Sequence, residues 1–346
     1  MIGYYIHHQG RGHTNRALAI AAELDQPVTG LSSQPRPDGW TGDWVELSRD
    51  DDGVDPREVD AYGRLHWVPV HDAGLRDRMA EISKWIAEAR PQVIVVDVSV
   101  EVAVLARLFG VPVISVVLPG VRADEAHRLG YDISTAIIAA WPQDAEGMIS
   151  GLSASARSRL HCVGAISRFG SRTAERRPSD AGAVAGAAAP RRVLLLGGAG
   201  GSSLDASTIA HARASTPDWH WTVLGSRGGR WVDDPWPQIC SADVVVTHAG
   251  QNALADVAAA RRPAIVIPEA RPHEEQVTTA SVLAGSSRWP ALVRWDFPEA
   301  GWPALLDEAA ALDGELWESW NDGMGAANAA AVIARELSDA PVREVV

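Results

Sequence analysis

The chain has 346 residues, a length suited to two domains, and its 46% hydrophobic and 22% charged residues supply enough apolar side chains for sizeable cores. With 44 acidic and 31 basic residues the net charge is −13, which excludes nonspecific nucleic-acid binding through a broad basic surface. No apolar run reaches bilayer-spanning length, the amino terminus lacks signal-peptide character, and Cys162 and Cys240, far apart in apolar surroundings, read as two buried reduced thiols; the expectation is a cytoplasmic protein without a transmembrane segment.

The apolar run Ile2–His7 predicts a first strand, and "HHQGRGHTNR", residues 7–16, follows it. Gly10 and Gly12 permit a tight turn, and a helix over Thr14–Leu24 places Ala17, Ile20, Ala21 and Leu24 on one face. A dinucleotide loop is disfavoured: Asn15 stands where G-x-G-x-x-G needs its third glycine, and no acidic residue ends the next strand to take a ribose. Residues 31–63 carry no clear pattern, and Asp50–Asp52 reads as a solvated loop rather than a metal site. Arg76–Arg90 predicts a helix with Met79, Ile82 and Ile86 on one face, suited to covering a core or to resting on a membrane surface.

Strands are predicted at Val93–Asp97, Val113–Val117, Ala136–Ala140 and His161–Ala165, with a helix over Val100–Phe109 closed by Gly110. Leu118–Arg128 lies beyond a strand's carboxyl end and is a candidate acceptor loop or a plain connection. Residues 171–190, "SRTAERRPSDAGAVAGAAAP", read as a linker. The same grammar then restarts, with strands at Arg192–Leu196, Trp219–Leu224, Val244–Thr247 and Ala264–Ile267. In "LLLGGAGGSS", Gly197, Gly198, Gly200 and Gly201 let the backbone approach a phosphate or simply make a tight turn; the Lys-Ser/Thr ending of a nucleotide-hydrolysing P-loop is missing. The fold class is α/β: two Rossmann-like domains, residues 1–170 and 191–322, with ligands expected beyond the strands' carboxyl ends and in the cleft between the domains.

Val244–Gln276, "VVVTHAGQNALADVAAARRPAIVIPEARPHEEQ", is the most informative stretch. A buried strand runs to His248, Gly250 opens a turn, and a helix starts near Gln251 and Asn252; such an amino end suits a diphosphate. Asp256 shares a helix face with Asn252 and is placed for ribose hydroxyls. Glu275 and Gln276, carboxylate plus amide, suit neighbouring sugar hydroxyls.

This segment resembles the donor signature of GT-B nucleotide-sugar glycosyltransferases, with His248, Gly250, Asn252, Asp256, Pro268, Glu275 and Gln276 matching in order. "WVDDPWPQICSADVVV" is similar to the base-binding loop of the lipid II-forming N-acetylglucosaminyltransferases, which implies that backbone groups near Trp231 and Val232 read a pyrimidine edge. "GGAGG" resembles the family's second phosphate loop, which assigns Gly198, Gly200 and Gly201 to the diphosphate, beside Gly12, His248, Gly250, Gln251 and Asn252. Gly323–Leu337 resembles the last helix, so residues 323–346 are expected to cross back to the first domain.

"GRGHTNRALAIAAEL" resembles the family's first loop, and in plant-type relatives the histidine at the position of His13 is the general base. Its chemistry agrees, since imidazole can take a hydroxyl proton at neutral pH. The aspartate that orients this base in those relatives aligns with Val104 here; Asp97 or Glu101 could substitute, and Asp97 fits better by its place at a strand end.

The resemblance implies an inverting, metal-independent glycosyltransferase without a cofactor. Its partners would be a nucleotide-sugar donor, UDP first and dTDP second, and a small or lipid-linked hydroxyl acceptor, compatible with peripheral contact at a membrane's inner face. A nucleotide-sugar hydrolase or epimerase of the same fold is one alternative; an inactive partner protein is another.

Overall fold

A computed structural model describes residues 1–53, 55–170, 172, 190–198, 206–225 and 229–338. Gly200, Gly201 and nearly all of the 171–190 stretch lie outside the described residues. The chain divides into two compact units, one holding Met1–Ala140, Ile149–Val163 and the segment from Gly325, the other Trp141–Met148 and Gly164–Met324.

The first unit opens with β1 (Ile2–Ile6), α1 (Arg11–Ala22), β2 (Val28–Ser32) and β3 (Trp44–Glu46). It continues through α2 (Ala73–Ala89), β4 (Val93–Asp97), α3 (Val100–Leu108), β5 (Val113–Val117), β6 (Gly120–Val121), α4 (Glu125–Asp132) and β7 (Ala136–Ala139). β8 (Ile149–Ser150), α5 (Ala154–Arg157) and β9 (Leu160–Cys162) follow. Seven strands form one parallel sheet in the order β3-β2-β1-β4-β5-β7-β9, while β6 pairs with β8. β1, β2, β4 and β5 are buried at every residue, as a parallel sheet covered on both faces requires.

Alternation along the strands decides which side chains meet which helices. Tyr5, Ile94, Val96 and Val113 join Ile82 and Ile86 of α2 and Val102 and Ala106 of α3 in one core cluster. Tyr4 and Asp97 project to the opposite face, where α1 lies. The apolar face of α2 is thus spent on the core, with Met79 packed against it as well, and is no membrane-resting surface. β2 and β3 fall in stretches with no strand pattern: a glycine and polar residues dilute β2, and β3 is a three-residue edge. Among the described residues no helix is long and apolar enough to cross a membrane. Neither cysteine is in a disulfide, and both are half-buried, less enclosed than expected.

The second unit holds β10 (Arg191–Leu196), α6 (Ala206–Ala214), β11 (Trp219–Leu224), α7 (Trp236–Ser241), β12 (Val244–Thr247), α8 (Gln251–Ala259), β13 (Ala264–Val266), α9 (Glu275–Ala284), β14 (Ala291–Val293) and α10 (Trp302–Ala310). Its five strands are parallel in the order β11-β10-β12-β13-β14. Val193, Leu195, Trp221, Val246, Ile265, Trp302 and Leu306 form its main cluster; each such side chain contributes about 1.5–3 kcal/mol by leaving water. The last helix, α11 (Gly325–Ser338), belongs to the first unit and packs on α1, β4 and β7.

Strand order reverses between β1 and β4 in the first unit and between β10 and β12 in the second. Open α/β sheets bind ligands just outside the carboxyl ends of strands at such a switch point. His13 follows β1 and Asp97 ends β4, while Gly198 follows β10 and His248 follows β12.

Candidate active site

In the first unit, α1 begins at Arg11, three residues before the expected start, because Gly10 takes φ 81° and turns the chain into the helix there. His13 therefore sits in the first helical turn, with Gly12 beside it. His13 donates from Nδ1 to Asp97 Oδ1 at 2.8 Å. Arg16 donates to both Asp97 oxygens, from Nη2 to Oδ1 at 2.7 Å and from Nε to Oδ2 at 3.0 Å. Asp97 is fully buried, Arg16 is 3% exposed, and the His13 side chain is 15% exposed. Burial alone would raise the Asp97 carboxyl, but Arg16 and His13 outweigh it and hold the group well below the usual carboxylate range. An ionised carboxylate only accepts, and Asp97 Oδ1 lies closer to Nδ1 than the Arg16 Nη2 donor at 3.1 Å, so Nδ1 carries the ring hydrogen and Nε2 keeps its lone pair. That is the tautomer a general base needs.

Glu101, the other residue weighed as support for His13, is engaged elsewhere: it accepts from the backbone N–H groups of His66 and Trp67. The His7 ring lies 5.5 Å from that of His13 and stacks on His8 at 4.9 Å. Burial, with the neighbouring His13 and His8, presses the His7 imidazole down to about 3, so it is neutral. Asp50, expected in a solvated loop, turns inward instead and pairs with the fully buried Arg78, while Asp51 stays exposed and approaches His8 Nε2 at 3.1 Å. His8 Nδ1 faces the donor-only Arg78 Nη2 at 3.2 Å, so Nε2 carries the hydrogen and offers no lone pair to a metal. The candidate acceptor loop holds a second pair, Asp124 capping α4 while bonding the ring of His127.

In the second unit, the His248 ring is gripped between two glycines. A β-carbon built on Gly198 would lie 2.6 Å from Nε2, and one on Gly250 would lie 2.6 Å from Nδ1. Gly250 N–H donates to His248 Nδ1 at 2.9 Å, which leaves the hydrogen on Nε2. Burial pushes the His248 imidazole down, against the nearby Glu269 carboxylate, so it is a neutral donor, and Nε2 is buried with no hydrogen-bond partner among the described residues. Gly250 stands at the amino end of α8 with no side chain to cap the first turn, and Gln251 and Asn252 open the helix. This is an anion-receptive end: backbone amides without a side-chain cap from the N-cap residue, a helix dipole and one imidazole N–H.

Trp231 is about half exposed, with Nε1 donating to Asp233, and Val232 is half-buried. Asp256 lies on α8 but is 4% exposed with both oxygens engaged: Ser167 Oγ donates to Oδ1 at 2.7 Å and Arg168 Nε to Oδ2 at 3.2 Å. Burial pushes its carboxyl up to about 6 despite these two partners. Glu275 begins α9, and Gln276 is buried with Oε1 accepting the Glu269 N–H at 2.9 Å, which fixes the amide's orientation.

Arg16, Arg168 and Glu269 went unread in the sequence. Arg16 had a signal, since three residues from His13 it shares a helix face; Arg168 and Glu269 reach their partners only through the fold.

Residues 231–285 match the glycosyltransferase family 28 C-terminal domain. No curated protein matches the chain. Among solved structures it resembles the glycotransferase of kitacinnamycin, at 17% identity over 97% of this chain and 98% of that one, with a TM-score of 0.64. A UDP-glucosyltransferase from Polygonum tinctorium capable of glucosylating indoxyl shares 13% identity over 98% of each chain, TM-score 0.63. The spinosyn rhamnosyltransferase SpnG complexed with thymidine diphosphate shares 15% over 99% and 97%, TM-score 0.54. The chain has the two-Rossmann GT-B fold of these proteins, and both the matched family and these relatives are glycosyltransferases.

Proposed function

We infer that this GT-B chain is a glycosyltransferase that moves a sugar, with inversion, from a nucleoside diphosphate donor to an acceptor hydroxyl. The observation that carries this is the His248 imidazole held between Gly198 and Gly250, with its buried Nε2–H unpartnered among the described residues at the amino end of α8, where the cap is a glycine without a side chain. A diphosphate supplies the acceptor oxygens that such a group of donors lacks. Trp231 and Val232 would meet the base, Asp256 the ribose, and Glu275 and Gln276 the sugar hydroxyls. Among the relatives, one is named for UDP-glucose transfer and one holds thymidine diphosphate, which supports UDP first and dTDP second.

In the transfer step, the acceptor oxygen attacks the anomeric carbon from the side opposite the leaving group. Its proton passes to His13 Nε2 as the new C–O bond forms. The bond from the anomeric carbon to the diphosphate oxygen breaks, and the released charge falls on the α8 amides and the His248 N–H. One well-placed donor of this sort is worth about 3–4 kcal/mol in the transition state. The imidazolium formed on His13 is met by Asp97 through the Nδ1–H bond.

Thermal-shift and calorimetric titration with UDP, dTDP, ADP and GDP tests the donor site, with UDP or dTDP expected to bind. Failure of all four to bind would overturn the proposal. Incubation with the matching nucleotide-sugar then separates the chemistries: nucleoside diphosphate release that waits for an acceptor marks a transferase, and rapid release of free sugar without one marks a hydrolase.

A further inference from the structure

The Arg16 guanidinium is buried beside the proposed base, and its fork geometry is specific. Nε and Nη2 reach the two oxygens of Asp97, which fixes the plane of the carboxylate and aims Oδ1 at His13 Nδ1. The same Nη2 lies 3.1 Å from Nδ1, so a permanent cation flanks the ring on the side where Asp97 supplies the anion. Two close neighbours are uncharged. His7 is a neutral imidazole, and Tyr4, beneath Asp97, is a neutral phenol held protonated by burial and by the carboxylate. On α11, which packs against α1, Arg335 and Glu336 lie near His161.

We propose that Arg16 is a positioning residue acting through Asp97: it locks the carboxylate and thereby holds His13 in the Nδ1–H tautomer with Nε2 free. Naming His13 a base rests on the transferase reading; the tautomer lock rests on the geometry alone. An aspartate without a counter-cation would stabilise imidazolium and so reduce the fraction of usable base. A cation without the fork would leave a buried carboxylate free to turn away from Nδ1. Arginine supplies both charge and fork, and lysine supplies only the charge.

The test is long-range proton–nitrogen spectroscopy on the full chain labelled with nitrogen-15 histidine, titrated from pH 5.5 to 9, with His13 assigned through His13→Gln. Wild type should show His13 protonated at Nδ1. Arg16→Met, which removes charge and fork, should mix the tautomers. Arg16→Lys, which keeps the charge but not the fork, should leave them mixed as well. An Nε2–H tautomer in wild type, or an Arg16→Met spectrum identical to wild type, overturns the proposal. If Arg16→Met does not fold, Arg16→Lys decides: an unmixed Nδ1–H pattern overturns the lock. His13→Ala turnover reports separately, because normal turnover would discard the base while leaving these spectra as they are.

Discussion

The ring of His248 lies so close to the α-carbon of Gly198 that a β-carbon there would stand 2.6 Å from Nε2. No side chain fits at 198 unless the imidazole moves. Gly198→Ala should therefore swing Nε2 off the amino end of α8 and weaken nucleoside diphosphate binding about tenfold. Isothermal titration with UDP checks this, and unaltered affinity would mean that His248 does not meet the diphosphate.

His13→Ala removes the acceptor of the proton and leaves the residues of α8 as they are. Turnover should fall by about 10²–10⁴, the usual worth of a general base. The dissociation constant for UDP should stay within about twofold. Retained turnover would remove His13 from the chemistry.

Asp256 gives a stability prediction whose sign is the reverse of the common carboxylate case. Its carboxyl lies at about 6 in the fold against an ordinary 3.8, so between these values the native state holds the proton more tightly than the unfolded chain does. Its contribution is most favourable below about pH 4 and is lost as pH rises through about 6, a difference on the order of 3 kcal/mol. Asp256→Asn does not titrate and can still accept from Ser167. Relative to wild type, its melting temperature should improve on going from pH 4.5 to pH 7.5. The same variant should weaken nucleotide binding if Asp256 meets a ribose, which calorimetry at pH 7.5 would show.

His7 behaves oppositely. Its imidazole titrates at about 3 in the fold and near 6.5 when unfolded, so the unfolded chain binds the extra proton first. Stability from this group is complete above about pH 6.5 and declines as pH falls toward 3, by about 2 kcal/mol at pH 5. Asn in its place can still accept the Gln9 N–H that His7 Nδ1 accepts at 3.2 Å. His7→Asn should lose less melting temperature than wild type between pH 7 and pH 5; parallel losses would assign the acid sensitivity to other groups.

Period and punctuation made much of the fold legible in the sequence. The buried β-branched runs at Val93–Asp97, Val113–Val117 and Val244–Thr247 carry their strand identity locally, as do the glycine turns after β1 and β10. The donor stretch is legible for the same reason, since strand, turn and helix are consecutive and every residue from His248 to Gln276 lies within one βαβα run. Short edges such as β3, and strands diluted by glycine such as β2, carry too few apolar residues to announce themselves.

What the chain decides by itself is therefore the chemistry within each local unit: parallel α/β layering, a histidine after the first strand, an uncapped helix end after β12. Only the tertiary structure decided that Asp97, 84 residues away, turns to His13 while Glu101 does not, and that Arg16 forks onto that carboxylate. It likewise decided that Ser167 and Arg168 close over Asp256. The reason is strand order. β4 lies beside β1 only because the strand order reverses there, and alternation then sends Asp97 to the α1 face, a coincidence of register that no stretch of sequence encodes alone.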